Sequence, residues 1–267
     1  MVAAAGDIAC SPTDNGFNGG AGSTYVCNEA NTAKLLDAIQ PDAVLALGDL
    51  QYENGAADAF AASYGSTWGR WKDKTHPAVG NHEFNTRGGA GYFAYWGSGV
   101  GAPGKGWYSF DVGAWHLIAL NSNCSIVGCG VDSEQGRWLA ADLAAHPAQC
   151  TLAYWHHPRY SSGLHGDNPG VEPFWQLLSA AHADLVLVGH DHDYERYAVQ
   201  RGIRQFTVGT GGRNLYVFQA QPEANSEVRN SVTFGVLQLT LHPASYDWKF
   251  VPIAGQTFTD SGTQNCT

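Results

Sequence analysis

Residues Leu185–Arg196 read LVLVGHDHDYER. The first four are apolar, and Gly189 ends the run. Such a run is too short for a helix and has no polar face. It is the pattern of a strand buried on both sides. Two imidazoles follow at once, His190 and His192. The same order, apolar run and then a polar donor, recurs along the chain. Val2–Ala5 leads to Gly6-Asp7, Ala43–Leu47 to Gly48-Asp49, Leu117–Leu120 to Asn121, and Leu152–Trp155 to His156. Between these runs lie stretches with helical spacing: Asn28–Ile39 stopped by Pro41, Glu134–Ala145 followed by Pro147, and Pro173–His182. Strands alternating with helices predict the α/β class. Gln205–Val208, Thr233–Leu241 and Trp248–Val251 read as strands with no helix between them, so antiparallel pairing is expected there. A layered sandwich of two sheets fits both halves.

The chain has 267 residues, 44% of them hydrophobic, enough for one large core. No linker, repeat or low-complexity stretch divides it, so residues 1–267 are read as a single domain. The formal charge is -10, with only 14 Lys and Arg, and these are scattered. That excludes the basic face of a polynucleotide-binding protein. An anionic substrate would have to be attracted locally, for example by bound cations. No segment is long and apolar enough to span a membrane. The oligomeric state is left open.

Six cysteines and no CxxC pair favour disulfides over a zinc cluster. Cys124 and Cys129 close a short loop, Cys10 and Cys27 flank the Gly/Asn-rich loop Ser11–Val26, and Cys150 and Cys266 remain. This is one connectivity among several. Disulfides imply a secreted, extracellular or periplasmic protein. Met1 runs straight into a strand-like segment without a charged leader, as expected of a mature form with an added start methionine.

In open α/β sheets, ligands bind beyond the carboxyl ends of the strands. Here those ends carry Asp7, Asp49, Asn81, His156, His190 and His192. Taken singly, each has an ordinary reading as a turn former, a cap or a core residue. As a set they are oxygen and nitrogen donors at the end of strand after strand. Carboxylate, amide, imidazole and phenol donors suit iron, zinc or manganese.

Gly6-Asp7, Gly48-Asp49-Leu50-Gln51-Tyr52, Gly80-Asn81-His82-Glu83, Trp155-His156 and Gly189-His190-Asp191-His192 occur in that order. The pattern resembles the calcineurin-like metallophosphoesterases. Tyr52, three residues after Asp49, and the run GHDHDYER make it similar to the purple acid phosphatase branch. The resemblance implies a four-layer α/β/β/α sandwich with two mixed sheets and a dinuclear metal site at the strand ends. It implies that Asp7, Asp49, Tyr52 and His192 bind one metal. Asp49, Asn81, His156 and His190 would bind the other, with Asp49 bridging. The first metal would be ferric iron, coloured by the Tyr52 phenolate; the second would be iron, zinc or manganese. His156 is chosen over the adjacent His157 because it keeps the His-x-Pro spacing. His82 and His165 would face the substrate as general acids or hydrogen-bond donors.

The implied activity is hydrolysis of phosphate monoesters by attack of a metal-bound hydroxide on a small phosphorylated substrate. A phosphodiesterase on the same site is the alternative, and a non-catalytic metal-binding module the remote one. Arg159 and Arg213 are candidates to reach phosphate oxygens. Gly209–Gly212, just before Arg213, is read as a plain loop.

Overall fold

A computed structural model describes residues 1–267. Its strands are β1 (Val2–Ala5), β2 (Ala43–Leu47), β3 (Thr75–Ala78), β4 (Tyr108–Val112), β5 (Trp115–Ala119), β6 (Cys150–Tyr154), β7 (Leu185–Val188), β8 (Tyr194–Tyr197), β9 (Arg204–Val208), β10 (Ser226–Asn230), β11 (Gly235–His242), β12 (Ser245–Pro252) and β13 (Ser261–Asn265). They form two mixed sheets, ordered β13-β12-β11-β1-β2-β3 and β10-β8-β9-β7-β6-β5-β4. In the first, β1, β2 and β3 are parallel and β11 to β13 antiparallel. In the second, β5, β6, β7 and β9 run parallel between antiparallel edges.

Side chains alternate across a strand, and this alternation builds the layers. Leu117, Leu152, Tyr154, Leu185 and Leu187 point toward the first sheet and join one core of 39 buried residues with Val2, Leu45 and Leu237. Their neighbours Ile118, Ala153, Trp155, Val186 and Val188 point the other way. There they pack on Leu139 of the helix Glu134–Ala145 and on Phe174, Trp175 and Leu178 of the helix Glu172–Ala180. On the far side, the helix Glu29–Ile39 lays Ala33 and Leu36 against the first sheet. The order is therefore helix, sheet, sheet, helix, as the family resemblance implied.

The C-terminal third departs from the antiparallel expectation at one strand. β9 pairs parallel with β7. After β7 the chain turns through the His190–His192 loop and runs back as β8. The tight Gln200–Ile203 connection then returns β9 into the place beside β7, antiparallel to β8. No crossover helix is needed, so the helix pattern carried no trace of it.

The three disulfides pair as read: Cys10–Cys27, Cys124–Cys129 and Cys150–Cys266. The last joins the start of β6 to the residue just past β13, and so links the two sheets. No helix is long and apolar enough to cross a membrane.

Two predictions follow from this frame. Cys150–Cys266 closes a span of 116 residues. In the chain-entropy picture its loss costs about 4–5 kcal/mol. Urea unfolding of the Cys150→Ser/Cys266→Ser variant should show that loss, whereas an unchanged midpoint rules it out. The second concerns His116 on β5, which lies between Asp142 at 2.9 Å and Asp111 at 2.8 Å. Burial alone would lower its pKa, but the hydrogen bonds to Asp142 and Asp111 and their charges outweigh it and raise the pKa above 6.5. The stabilisation is then complete below 6.5 and is lost as pH climbs through the raised value. The stability gap between wild type and His116→Gln should narrow with rising pH; a widening gap contradicts the assignment.

Candidate metal centre

Three parallel strand ends of the first sheet and two of the second converge on one spot. Asp7 follows β1, Asp49 follows β2, and Asn81 follows β3. His156 follows β6, while His190 and His192 lie in the loop after β7. Asp7, Asp49 and His190 all have positive φ, at 58°, 49° and 73°. That conformation costs roughly 1–2 kcal/mol for a residue with a side chain. Here it swings each side chain from the strand end into the shared space. Gly80 and Gly189 allow the close approach. A Cβ at Gly80 would lie 2.1 Å from Asp49 Oδ1, and one at Gly189 would lie 2.6 Å from Asp7 Oδ2.

The donors fall into two groups that share one atom. Around the Tyr52 hydroxyl stand Asp7 Oδ1 at 2.9 Å, His192 Nε2 at 2.9 Å and Asp49 Oδ2 at 3.1 Å. Around His156 Nε2 stand the same Asp49 Oδ2 at 3.2 Å, Asn81 Oδ1 at 3.2 Å and His190 Nδ1 at 3.2 Å. The structure thus brings together all seven residues proposed as ligands. His190 and His192 diverge, one into each group. All but Asn81 and His190 are almost wholly buried.

The fit of this set to cations can be tested on its hydrogens. Tyr52 has one proton and three acceptor-type neighbours. His156 Nδ1 lies 2.9 Å from the Leu47 carbonyl, which only accepts, so Nδ1 carries the proton and a neutral ring turns its lone pair inward. Asn214 Oδ1, 3.2 Å from His192 Nδ1, has the same effect on that ring. Lone pairs therefore face lone pairs, and cations resolve the repulsion. Without cations, protons must serve. Burial opposes a charge on His156, yet Asp49 outweighs burial and raises that imidazole to about 10. Asp49 is held well below the carboxylate range in return, burial opposing and His156 prevailing. Burial and then the charge of His156 push His190 down, and burial and His156 take His157 down to about 3. Burial, followed by Asp49 and Asp7, raises the Tyr52 phenol well above its usual value. A phenolate there requires a multivalent cation beside it.

Of the histidines expected to face substrate, His82 is locked from behind. Its amide donates to Asp49 Oδ1 at 2.8 Å, and its Nδ1 lies 2.7 Å from the Glu53 carbonyl. Its ring leans on Tyr52 with centroids 4.3 Å apart. His165 Nδ1 lies 2.9 Å from Asp191 Oδ1, and its ring packs on His190 at 4.4 Å. The hydrogen bond to Asp191 raises its pKa over the opposing effect of burial. In both rings Nε2 is left for a ligand. His157 is bonded to Ser122 and stands outside both donor groups, its ring packed against that of His190 with centroids 4.4 Å apart. Neither arginine is free: Arg159 is bound to Glu172 at 2.6 Å and Asp167 at 3.5 Å, and Arg213 to Asp14 and Glu53.

Sequence reading gave no role to Glu83, which proves central. Its buried carboxylate accepts from the amides of Gly80 (2.8 Å), Asp49 (3.0 Å), Leu50 (2.8 Å) and Gln51 (3.2 Å). Burial, with Asp49 adding to it, pushes Glu83 up to about 8, while those amides pull it back. Nothing in the spelling Asn-His-Glu separates this residue from a surface acid. Asn214 and Tyr216, which flank His192, were likewise without a signal.

A family model described as calcineurin-like phosphoesterase matches residues 2–194, well over half the chain. The chain belongs to that family. Among curated members of its purple acid phosphatase-like branch, it is 28% identical over 215 residues to purple acid phosphatase 15 of Arabidopsis thaliana, covering 67% of this chain and 40% of that one. An uncharacterized protein of Mycobacterium tuberculosis is 31% identical over 229 residues, covering 74% and 42%. The chain spans about two fifths of the length of these relatives. In fold it resembles the purple acid phosphatase PPD1 from yellow lupin (Lupinus luteus) seeds, with TM-score 0.76, 21% identity, 99% of this chain and 53% of that one. It also resembles a dimetal phosphatase from Danio rerio, with TM-score 0.68, 14% identity, 100% and 98%. GAP50, the anchor in the inner membrane complex of Plasmodium, has the same fold at TM-score 0.71 and 15% identity, covering 100% and 88%. Function in this phosphoesterase family must therefore be argued from the site and not from the fold.

Glu83 yields a prediction. Glu83→Gln sets an NH2 group against backbone N–H donors, which leaves buried donors unpaired at a cost of about 1–3 kcal/mol. Loosened ligands should also weaken metal binding roughly 10- to 100-fold. Thermal unfolding and calorimetric zinc titration would measure the two effects; wild-type values for both would refute the positioning role.

Proposed function

We propose that this chain is a secreted phosphomonoesterase that works with two metal ions. The observation that carries the reading is the single oxygen, Asp49 Oδ2, shared between the two donor groups. Asp7, Asp49, Tyr52 and His192 would hold one ion, and Asp49, Asn81, His156 and His190 the other. Ions bound there supply positive charge and Lewis acidity to a phosphate ester at close range. That supply matters because the protein is net negative and its nearby arginines are already paired. The Tyr52 ligand favours ferric iron at the first position, with iron, zinc or manganese at the second.

The chain's own side chains complete the site. His82 presents Nε2 beside Asp49, at 3.9 Å from Oδ2, with its other nitrogen fixed by the Glu53 carbonyl. With Nδ1–H held by that carbonyl, Nε2 would donate a hydrogen bond to the phosphoryl group from the imidazolium form, whereas the neutral ring would present a lone pair there. His165 enters from the opposite sheet. Asp191 fixes its tautomer and favours its charged form, so its Nε2–H is suited to protonate a departing alkoxide. Ligands held on strand ends by backbone hydrogen bonds need little reorganisation when charge develops. Three disulfides support an oxidising compartment.

An aryl phosphate and the matching bis-aryl phosphate, assayed with metal analysis, test the reading. The monoester should be turned over with the higher kcat/KM, and a large preference for the diester would falsify monoesterase specificity. Iron-loaded protein should absorb visible light, and Tyr52→Phe should lose the band. A colourless, fully active zinc or manganese enzyme would remove the ferric assignment and leave the hydrolysis.

A further inference from the structure

Beside the second donor group opens a cleft of about 400 Å³, lined among others by Asn81, Phe84, Ser122, Asn123, Ser125 and His157. No carboxylate, lysine or arginine lines it. We infer that this cleft receives the alcohol part of the ester and selects an uncharged, hydroxylated group such as a sugar, with His157 as the specificity-determining residue. The inference rests on the phosphoesterase reading above.

Asn81 connects the two places. Its Oδ1 faces His156 Nε2 at 3.2 Å, its amide nitrogen is unpaired within the protein, and the residue also lines the cleft. An ester whose phosphoryl group meets the donor groups therefore has its alcohol beside this wall. The wall is held rigidly. Asn123 donates to Asn121 Oδ1 at 2.9 Å and to the Gly80 carbonyl at 3.3 Å, and the Cys124–Cys129 bridge pins the next turn.

His157 is aimed by a reciprocal pair of bonds. Its backbone amide donates to Ser122 Oγ at 2.9 Å, and Ser122 Oγ lies 2.8 Å from its Nδ1. The serine hydroxyl has no other acceptor, so it donates to Nδ1, and the ring proton sits on Nε2. That N–H has no partner in the protein, and His157 is among the residues that line the cleft. It is a pre-placed donor for a hydroxyl oxygen. A carboxylate or second phosphate put here would lose water and find no cation in the wall. Hydroxyl groups would find amides, hydroxyls and one imidazole N–H, with Phe84 under the carbon skeleton. A site built to bond a hydroxyl discriminates strongly against groups that cannot return the bond.

Glucose 6-phosphate, 3-phosphoglycerate and methyl phosphate test this on the metal-loaded enzyme. The first has a neutral hydroxylated tail, the second a carboxylate, and the third is too short to reach the wall. Wild type should favour glucose 6-phosphate over 3-phosphoglycerate by about tenfold in kcat/KM, the scale of one buried hydrogen bond. His157→Leu should raise KM for glucose 6-phosphate about tenfold and leave methyl phosphate within about twofold, while His157→Gln, which keeps an N–H, should recover most of the loss. A preference for 3-phosphoglycerate, or an equal loss on methyl phosphate, overturns the inference. If wild type hydrolyses none of the three, the phosphoesterase reading fails. Saturation-transfer NMR with free glucose then decides the cleft: signal in wild type that His157→Leu abolishes supports it, and no signal in wild type overturns it.

Discussion

Asp49 Oδ2 lies 3.1 Å from the Tyr52 hydroxyl and 3.2 Å from His156 Nε2, and so belongs to both donor groups at once. That position is demanding. A side chain at the end of β2 must reach across to a ring at the end of β6, in the other sheet. Three constraints secure it. The residue takes a left-handed backbone that turns its side chain inward. Glu83 grips the amides of residues 49, 50 and 51 together with that of Gly80. Gly80 leaves room for a carboxylate where any Cβ would collide with it. Each works only if the others hold. The strained turn is tolerated because four hydrogen bonds to one carboxylate fix it, and the carboxylate is near enough because β3 runs parallel beside β2. The inter-sheet core then sets the distance from Asp49 to His156, and backbone, packing and chemistry meet in a single atom.

The fold was legible where local spelling and global position agree. β1, β2, β7 and the helix Glu134–Ala145 fall where the apolar runs place them, because a strand buried on both faces must be continuously apolar and must stop at a residue that can turn. The same rule exposed the site, since the stopping residues are themselves the donors. What stayed hidden was decided by distant partners. β9 looks like any apolar strand, and only the return path through β8 sets it parallel to β7. Glu83 carries the letter of a surface acid, and its burial depends on the approach of the β2 end. His156 and His157 share one spelling. They part in the turn that follows β6, where one ring meets the Leu47 carbonyl and the other Ser122. Spacing chose the first of the pair; the surroundings of the second needed coordinates.

Charge explains why the arrangement depends on metal. The chain is acidic, and Arg159 and Arg213, the two candidates to reach phosphate oxygens, are spent on Glu172, Asp167, Asp14 and Glu53. Asp7 and Asp49 add two buried carboxylates at the point where a phosphate would arrive. Without ions, that point repels phosphate, and a proton at His156 offsets only one of its two negative charges. Cations compete with that proton for the same lone pair, and their binding reverses the sign of the local field. Paired arginines then have a structural use. A free guanidinium at the rim would hold phosphate whether or not metal was present. With the arginines paired, the proposed affinity for a phosphate ester would arise only when the metal ions are in place, which would couple binding to competence through electrostatics alone.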